Sequence, residues 1–275
     1  MGRIDDVLAR RAGGQAGGSA HTKALIAYLC CGDPDEAGSV DLAVACAEAG
    51  ADILELGMPF SDPTADGPAI ARASQRALTN GGGLDATLRV ARAVRARSAA
   101  PIVLFGYYNP LFVRGEETVV ALAADAGVDA FLVVDLPLDE SSSLRTLAAA
   151  RGLGVIPLVA PTSRPERVAM IAEAARRFPI PFVYYVSMMG VTGGAGATDV
   201  LAEASRQAAH VAKVTARPTV VGFGIDSAPA AKIAAAEAAG VVVGSAIVRR
   251  IEEGASADAR IASVRALVEE LRAAL

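Results

Sequence analysis

Short apolar runs alternate along the chain with longer, alanine-rich segments whose apolar residues have helical spacing. The runs predict eight strands, at Ala24–Cys31, Asp52–Gly57, Pro101–Tyr108, Ala130–Pro137, Gly154–Pro161, Phe182–Gly190, Pro218–Ile225 and Gly240–Ile247. The segments between and after them predict helices at Ser39–Ala49, Leu84–Ser98, Glu116–Ala126, Ser141–Ala150, Arg164–Phe178, Asp199–Ala216, Ser227–Ala239 and Ser256–Leu275. This alternation predicts parallel strands, because neighbouring parallel strands must be joined by a crossover.

Eight consecutive strand–helix units indicate an α/β fold, a single (β/α)8 TIM barrel. An open, doubly wound sheet is the alternative, but the unbroken run of eight units favours closure. We predict one domain over residues 1–275, in which residues 1–22 form an N-terminal helix and a polar segment before the first strand.

Two of the predicted connections are longer than the others. The predicted starts of strands two and three, Asp52 and Pro101, lie much farther apart than most neighbouring starts, and Phe182 and Pro218 are also well separated. We therefore expect extended loops after strands 2 and 6, at the C-terminal rim where barrel enzymes have their active sites. The second of these loops is rich in glycine, which suits either a lid over a ligand or a floppy connector.

Composition narrows the class of protein. The 275 residues are 53% hydrophobic and 20% charged, and the formal net charge is −4. This acidic balance argues against nucleic acid as the main partner, because binding phosphates requires a basic face. The sequence has neither a membrane-spanning apolar run nor the apolar core of a signal peptide, and its three cysteines form no CxxC pair. These features predict a reduced, cytoplasmic protein, and the two histidines do not suggest a metal site.

The end of strand two and the loop after it carry three carboxylates within twelve residues. Glu55 lies between two leucines, so its side chain should point to the opposite face of the strand from both of them. A lone acid in an apolar strand is costly to bury, and it therefore indicates a functional site. Asp62 and Asp66 follow in a proline-rich loop. Either aspartate could cap a turn, and for Asp62 we favour that interpretation or a contact with a partner.

Glycine motifs follow the last two predicted strands. Gly222-Phe223-Gly224 comes after strand seven and Gly244-Ser245 after strand eight, and a helix is predicted to follow each. Glycine lets the backbone approach a ligand closely, and free N–H groups at a helix start attract anions. Each motif alone could be a simple turn, but the pair indicates a phosphate site. No lysine lies near either motif, so we expect backbone N–H groups to supply most of the binding.

These motifs resemble those of tryptophan synthase alpha subunits. The segment Leu54–Pro68 resembles the ELGxPFSDPxADGP motif of that family, and the resemblance continues in order through Gly32–Pro34, Tyr107–Pro110, Asp135–Pro137, Tyr184–Gly193, Gly222–Ile225 and Gly244–Val248. It covers nearly the whole chain. The chain departs from the family pattern at Ala27 and Cys30, where proline and threonine are usual, and at Met188-Met189, where an arginine is common.

The resemblance implies retro-aldol cleavage of indole-3-glycerol phosphate to indole and glyceraldehyde 3-phosphate, in tryptophan biosynthesis. It implies that Glu55 is the catalytic acid/base and that Asp66 holds the indole nitrogen. The residues expected to contact the rest of the substrate are Tyr184, Ile70, Phe223 and Thr192, and those expected to contact its phosphate are Gly193, Gly224, Gly244 and Ser245. Phe60 and Leu136 are further candidates for the apolar wall, and Asp33 and Asp135 are expected to support the site.

The resemblance also implies a partner, a pyridoxal-phosphate β subunit in an α2β2 heterotetramer, and no cofactor or metal on this chain. The candidate docking surface comprises Asp62-Pro63, Gly106–Arg114 and the loop after strand six. Two alternatives remain open, a stand-alone lyase with the same site and a weakly active, phosphate-binding regulatory barrel. The acids at positions 55 and 66 argue against the second alternative.

Overall fold

The computed structural model describes residues 2–13, 22–187, 197–222 and 224–275. Its strands are β1 (Ala24–Cys30), β2 (Ile53–Gly57), β3 (Ile102–Gly106), β4 (Ala130–Val133), β5 (Gly154–Val155), β6 (Leu158–Val159), β7 (Val183–Val186), β8 (Thr219–Gly222) and β9 (Gly240–Val243). Its helices are α1 (Arg3–Ala12), α2 (Glu36–Glu48), α3 (Pro68–Thr79), α4 (Leu84–Arg97), α5 (Tyr108–Arg114), α6 (Glu116–Asp125), α7 (Ser142–Ala150), α8 (Pro165–Arg177), α9 (Ala197–Thr215), α10 (Ala228–Ala234), α11 (Ser245–Glu253) and α12 (Ala257–Ala274).

All strand pairs are parallel, in the order β5-β4-β3-β2-β1-β9-β8-β7-β6. The two outermost strands, β5 and β6, are consecutive pieces of the predicted fifth strand, Gly154–Pro161. The first piece pairs with β4 and the second with β7, so this one segment closes the sheet into a barrel. Between the pieces lies Pro157, which has no N–H to donate and whose carbonyl accepts from the N–H of Tyr184 at 3.0 Å. The predicted TIM barrel is confirmed, although its fifth strand is not continuous.

The strands bury alternate residues on two sides. On β1, Ile26 and Tyr28 belong to a cluster inside the barrel, whereas Leu25 and Leu29 belong to the larger cluster between the sheet and the helices. This is the period-two alternation of a strand that is buried on both faces. The predicted N-terminal helix is present as α1, whose Ile4 joins the interior cluster.

Three helices at the C-terminal rim lie outside the helical ranges predicted from the sequence. The first, α3, lies within the expected extended loop after β2 and begins at Pro68, a residue that is compatible with the first turn of a helix. The second, α5, begins at Tyr108, whose N–H donates to Oδ1 of Asp135 at 2.7 Å. The third, α11, begins at Ser245, so the strand predicted to reach Ile247 ends earlier, at Val243. The glycine-rich part of the loop after strand six, residues 188–196, lies outside the described residues.

None of the helices in the described ranges combines the length and the apolar content that crossing a bilayer requires. In the same ranges, no three His, Cys, Asp or Glu side chains are grouped so that they could hold a metal ion.

Candidate active site

A cavity of about 290 Å³ lies at the C-terminal end of the barrel. Its wall is largely apolar, with Ile70, Phe105, Val134 and Leu158 among the lining residues. The charged residues that line it are Glu55, Asp66, Asp226 and Arg249, and it also contains the rings of Tyr28 and Tyr184 and the backbone of Gly224, Gly244 and Ser245. The cavity therefore brings together the carboxylate motif after β2 and the two glycine motifs after β8 and β9.

Glu55 points into the barrel, as the strand alternation predicts. Ile53 lies in the same interior cluster, whereas Leu54 and Leu56 face the outer helices. The Glu55 side chain is 1% exposed, and its Oε1 has no hydrogen-bond partner among the described residues. Burial raises the pKa of this carboxyl to about 8. Near neutral pH, Glu55 is therefore mainly a protonated acid that can donate its proton.

Asp66 lies in a short turn and lines the cavity. Its N–H donates to the carbonyl of Pro63 at 3.1 Å, and the N–H of Ala65 donates to the hydroxyl of Tyr107 at 2.9 Å. Burial raises the pKa of Asp66 to about 6, and a hydrogen bond with Tyr107 opposes that rise. Asp66 is therefore mainly ionised at neutral pH. The two carboxyls of this site carry different protonation states under the same conditions, which is a common arrangement in acid/base catalysis.

The position of Asp66 depends on helix α3, which begins two residues later. Arg76 on α3 donates two hydrogen bonds to Asp33, at 2.8 and 2.9 Å, and a third to Glu252 on α11. The ion pair between Arg76 and Asp33 connects α3 to the loop after β1. It is partly buried, because Asp33 is 3% exposed. Asp33 does not line the cavity, and its support of the site through α3 stays a prediction. Asp135 similarly fixes the start of α5.

Two tyrosines occupy the interior next to glycines on neighbouring strands. A Cβ atom at Gly57 would collide with the ring of Tyr28, and one at Gly222 would collide with the ring of Tyr184. Each glycine at the end of a strand therefore makes room for a ring that lines the cavity. Tyr184 was expected in the site, but Tyr28 was not assigned a role. The signal for Tyr28 was its spacing from Ala24 and Ile26, which places it on the inner face of β1.

The three described residues that were expected to bind phosphate, Gly224, Gly244 and Ser245, all line the cavity. Gly224 has φ +73°, which favours glycine, and Gly244 precedes α11, which has no side-chain cap. The first N–H groups of α11 are therefore free to bind an anion. Arg249 lines the same cavity four residues after Ser245, and the absence of lysine near the glycine motifs gave no sign of it.

The structure places the remaining residues that were expected to contact the substrate in different surroundings. Ile70 lines the cavity, whereas Phe223, Thr192 and Gly193 lie outside the residues that the structure describes. Phe60 does not line it, because its ring stacks on Tyr107 with the centroids 5.1 Å apart. Leu136 lines a smaller neighbouring cavity that shares Val134 and Leu158 with the first, so neither Phe60 nor Leu136 is found in the wall where it was expected. Asp62 is exposed.

One largely apolar cavity at the mouth of a (β/α)8 barrel contains a protonated carboxyl, an ionised carboxyl and a set of free N–H groups. This combination defines a barrel enzyme that performs acid/base chemistry on a phosphorylated substrate with an apolar part.

The model of the tryptophan synthase alpha chain family matches residues 16–275, and the chain belongs to that family. The tryptophan synthase alpha chain of Geobacter sulfurreducens is 47% identical over 236 residues, which are 86% of this chain and 87% of the relative. The crystal structure of tryptophan synthase subunit alpha from Legionella pneumophila has a TM-score of 0.87 at 33% identity and covers 100% of this chain and 98% of its own. A chain of the tryptophan synthase α2β2 complex from Pyrococcus furiosus has a TM-score of 0.79 at 34% identity. The match covers 90% of this chain and 97% of that chain.

Proposed function

We propose that this chain is the lyase subunit that cleaves indole-3-glycerol phosphate to indole and glyceraldehyde 3-phosphate, with Glu55 and Asp66 as its catalytic residues. Membership of the family supports the reaction. The observation that supports these residue roles is the separation of their pKa values within one cavity, to about 8 for Glu55 and about 6 for Asp66.

The cavity suggests how the substrate lies. The phosphate occupies the end formed by Gly224, Gly244 and Ser245, because free N–H groups are available there. The indole ring packs against the apolar wall that includes Ile70 and Phe105, with its N–H directed to Asp66. The glycerol chain then runs between these two ends, past Glu55.

The proton transfers follow from the charges of the two acids. Neutral Glu55 donates its proton to the ring carbon that carries the glycerol chain, and the ring nitrogen becomes positively charged. Ionised Asp66 stabilises that charge. Glu55, now a carboxylate, accepts the proton of the adjacent glycerol hydroxyl as its carbonyl forms and the carbon–carbon bond breaks. The bonding electrons return to the ring, which releases neutral indole and leaves Glu55 protonated again.

The partner that the family and the Pyrococcus furiosus complex support is a β subunit of tryptophan synthase. We propose an α2β2 assembly in which the β subunit carries pyridoxal phosphate and this chain carries no cofactor. The docking surface we propose includes α5, where Phe112 and Val113 are 66% and 76% exposed. Large apolar side chains exposed side by side often mark protein interfaces. The cytoplasmic location expected from the sequence and the assignment of residues 1–275 to one domain stay predictions.

The test is to measure indole release from indole-3-glycerol phosphate by the purified chain, alone and during titration with its β subunit. We expect slow release alone and faster release with the partner, because partner binding that closes an active site commonly speeds the chemistry. Fast release that ignores the partner would favour the stand-alone lyase. Phosphate-ligand binding with no release under either condition would favour the regulatory barrel.

A further inference from the structure

Arg249 is the only positively charged side chain that lines the cavity among the described residues. Three carboxyls, those of Glu55, Asp66 and Asp226, share that wall. Even with Glu55 neutral, a phosphate dianion entering the cavity meets two negative side chains. N–H dipoles at a helix start carry only partial charge, so a full positive charge near the phosphate would offset much of this repulsion.

The helix geometry directs Arg249 toward the phosphate end. Ser245 is the first residue of α11 and Arg249 lies four residues later, so the two side chains lie on the same face, one turn apart. Side chains on a helix lean toward its N-terminus. The guanidinium group of Arg249 is therefore carried back toward Gly244 and Ser245, where the free N–H groups are. Its presence in the wall of the same cavity agrees with this direction.

The existing partner of Arg249 holds it weakly. The nearest atoms, Nη2 of Arg249 and Oδ2 of Asp226, are 3.9 Å apart, which is beyond hydrogen-bond distance. The two side chains are 38% and 43% exposed, and ion pairs in such surroundings contribute little. A phosphate dianion presents more charge than one carboxylate and can accept two parallel hydrogen bonds from a guanidinium group.

We propose that Arg249 is an additional phosphate-binding residue of this site, and that Asp226 competes with the substrate for its guanidinium group. In the free chain the guanidinium group of Arg249 lies near the carboxylate of Asp226. When the substrate enters, the guanidinium group turns to the phosphate and the contact with Asp226 is released. The inference rests on the proposed function, since it assigns Arg249 to the phosphate of the proposed substrate.

The test compares two ligands that differ only in the phosphate, indole-3-propanol phosphate and indole-3-propanol. Their dissociation constants are measured on the full chain and on variants at Arg249, Asp226 and Arg250. Arg249→Gln should weaken binding of the phosphate ligand by about 10- to 100-fold, the loss expected for a charge-assisted hydrogen bond, and should leave indole-3-propanol unchanged within about twofold. Arg249→Lys should recover part of the loss. Asp226→Asn should tighten binding of the phosphate ligand, because it removes the competitor.

Arg250 provides the matched control, since it is exposed, lies on the same helix and does not line the cavity. Arg250→Gln makes the same change in net charge and should alter neither dissociation constant by more than about twofold. Equal effects of Arg249→Gln on both ligands would make Arg249 structural and overturn the inference, as would equal effects of the two glutamine variants. The binding titrations need no turnover, so they decide the role of Arg249 independently of the reaction. Failure of the wild-type chain to release indole would overturn the proposed function alone.

Discussion

Tyr28 and Glu55 occupy paired positions on the adjacent parallel strands β1 and β2, and both side chains point into the barrel. They are 4% and 1% exposed. Burial raises the pKa of each, and the charge that Glu55 acquires on ionisation adds to the rise for Tyr28. The pairing thus places the phenol of Tyr28, which stays protonated, beside the carboxyl of Glu55, which loses its proton as the pH rises through about 8. The interior of the barrel opposes negative charge at this point, which suits Glu55 as a proton donor in the first step.

Replacement of Glu55 by glutamine keeps the shape of the side chain and removes its transferable proton. We expect Glu55→Gln to lower the rate of indole release by roughly two to four orders of magnitude, the usual contribution of acid/base catalysis, and to retain binding of indole-3-propanol phosphate. Steady-state kinetics and a binding titration measure the two effects. Glu117→Gln, at an exposed position on α6, makes the same change outside the cavity and should behave as wild type. Near-normal release by the folded Glu55→Gln variant would remove Glu55 from the mechanism.

Asp66 is expected to act on charge that exists only during the reaction. Asp66→Asn keeps a hydrogen-bonding group at the indole nitrogen but cannot offset a positive charge there. We therefore expect kcat to fall much more than affinity for indole-3-propanol phosphate. Asp62→Asn, at an exposed position in the same loop, is the control and should leave both quantities unchanged in the isolated chain. An equal loss of analogue binding and turnover would show that Asp66 organises the loop instead of stabilising the reaction.

The two pKa values predict the pH dependence of catalysis. Glu55 must be protonated to begin the reaction, so activity should fall as the pH rises through about 8. Asp66 must be ionised, so activity should fall as the pH drops through about 6. We expect a bell-shaped profile of kcat, measured at saturating substrate. In Asp66→Asn, the residual activity should keep the basic limb and lose most of the acidic limb. A basic limb that is absent up to pH 9 would contradict the assignment of Glu55 as the initial proton donor.

The raised pKa of Glu55 also predicts how stability depends on pH. Between about 4.5, its ordinary value, and about 8, the folded chain retains a proton that the unfolded chain has released. The contribution of Glu55 to the free energy of unfolding therefore falls as the pH rises across this window, by up to about 1.4 kcal/mol per pH unit.

Glu55→Gln should lose this dependence, so the stability difference between variant and wild type should move in favour of the variant from pH 5 to pH 8. Urea unfolding at several pH values measures it. Any constant cost of burying the glutamine amide shifts all values equally and does not affect the slope. A difference that stays flat over this range would mean that Glu55 titrates near its ordinary pKa in the folded chain.

The fold was largely predictable because its signals are local. Each strand is short and apolar, and several helices end at glycines such as Gly50 and Gly127, which have φ values of +109° and +82°. The helices missed at the rim, α3, α5 and α11, begin where proline, glycine or an apolar strand-like run obscures the pattern. Their starts depend on tertiary contacts, such as the hydrogen bond from the N–H of Tyr108 to Asp135, which no local pattern reveals.

In the candidate site, too, the features set by local sequence were predictable and those set by tertiary contacts were not. The inward direction of Glu55 follows from strand alternation, and Asp66 was identified from its motif. Tyr28 and Arg249 were missed because their roles depend on which residues meet across the barrel. Phe60 was misassigned because its ring stacks on Tyr107 in the loop instead of facing the cavity, and aromatic composition alone does not indicate such a direction.

The exposed apolar pair on α5 predicts how the partner docks. Phe112 lies against Tyr108, with ring centroids 5.9 Å apart, and the start of the helix is fixed by Asp135, so the surface is held in place before binding. Aromatic residues at the centre of an interface often carry much of the binding free energy.

We expect Phe112→Asp to weaken binding of the β subunit by tenfold or more, because it places a charge in a surface that becomes desolvated. Met170→Asp provides the control, since Met170 is 43% exposed and lies on α8, which is not part of the proposed docking surface. Both variants should keep the slow indole release of the isolated chain, and only Phe112→Asp should require more β subunit to reach full activation. Analytical ultracentrifugation and activity titration measure these effects, and equal affinities for the two variants would place the interface elsewhere on the barrel.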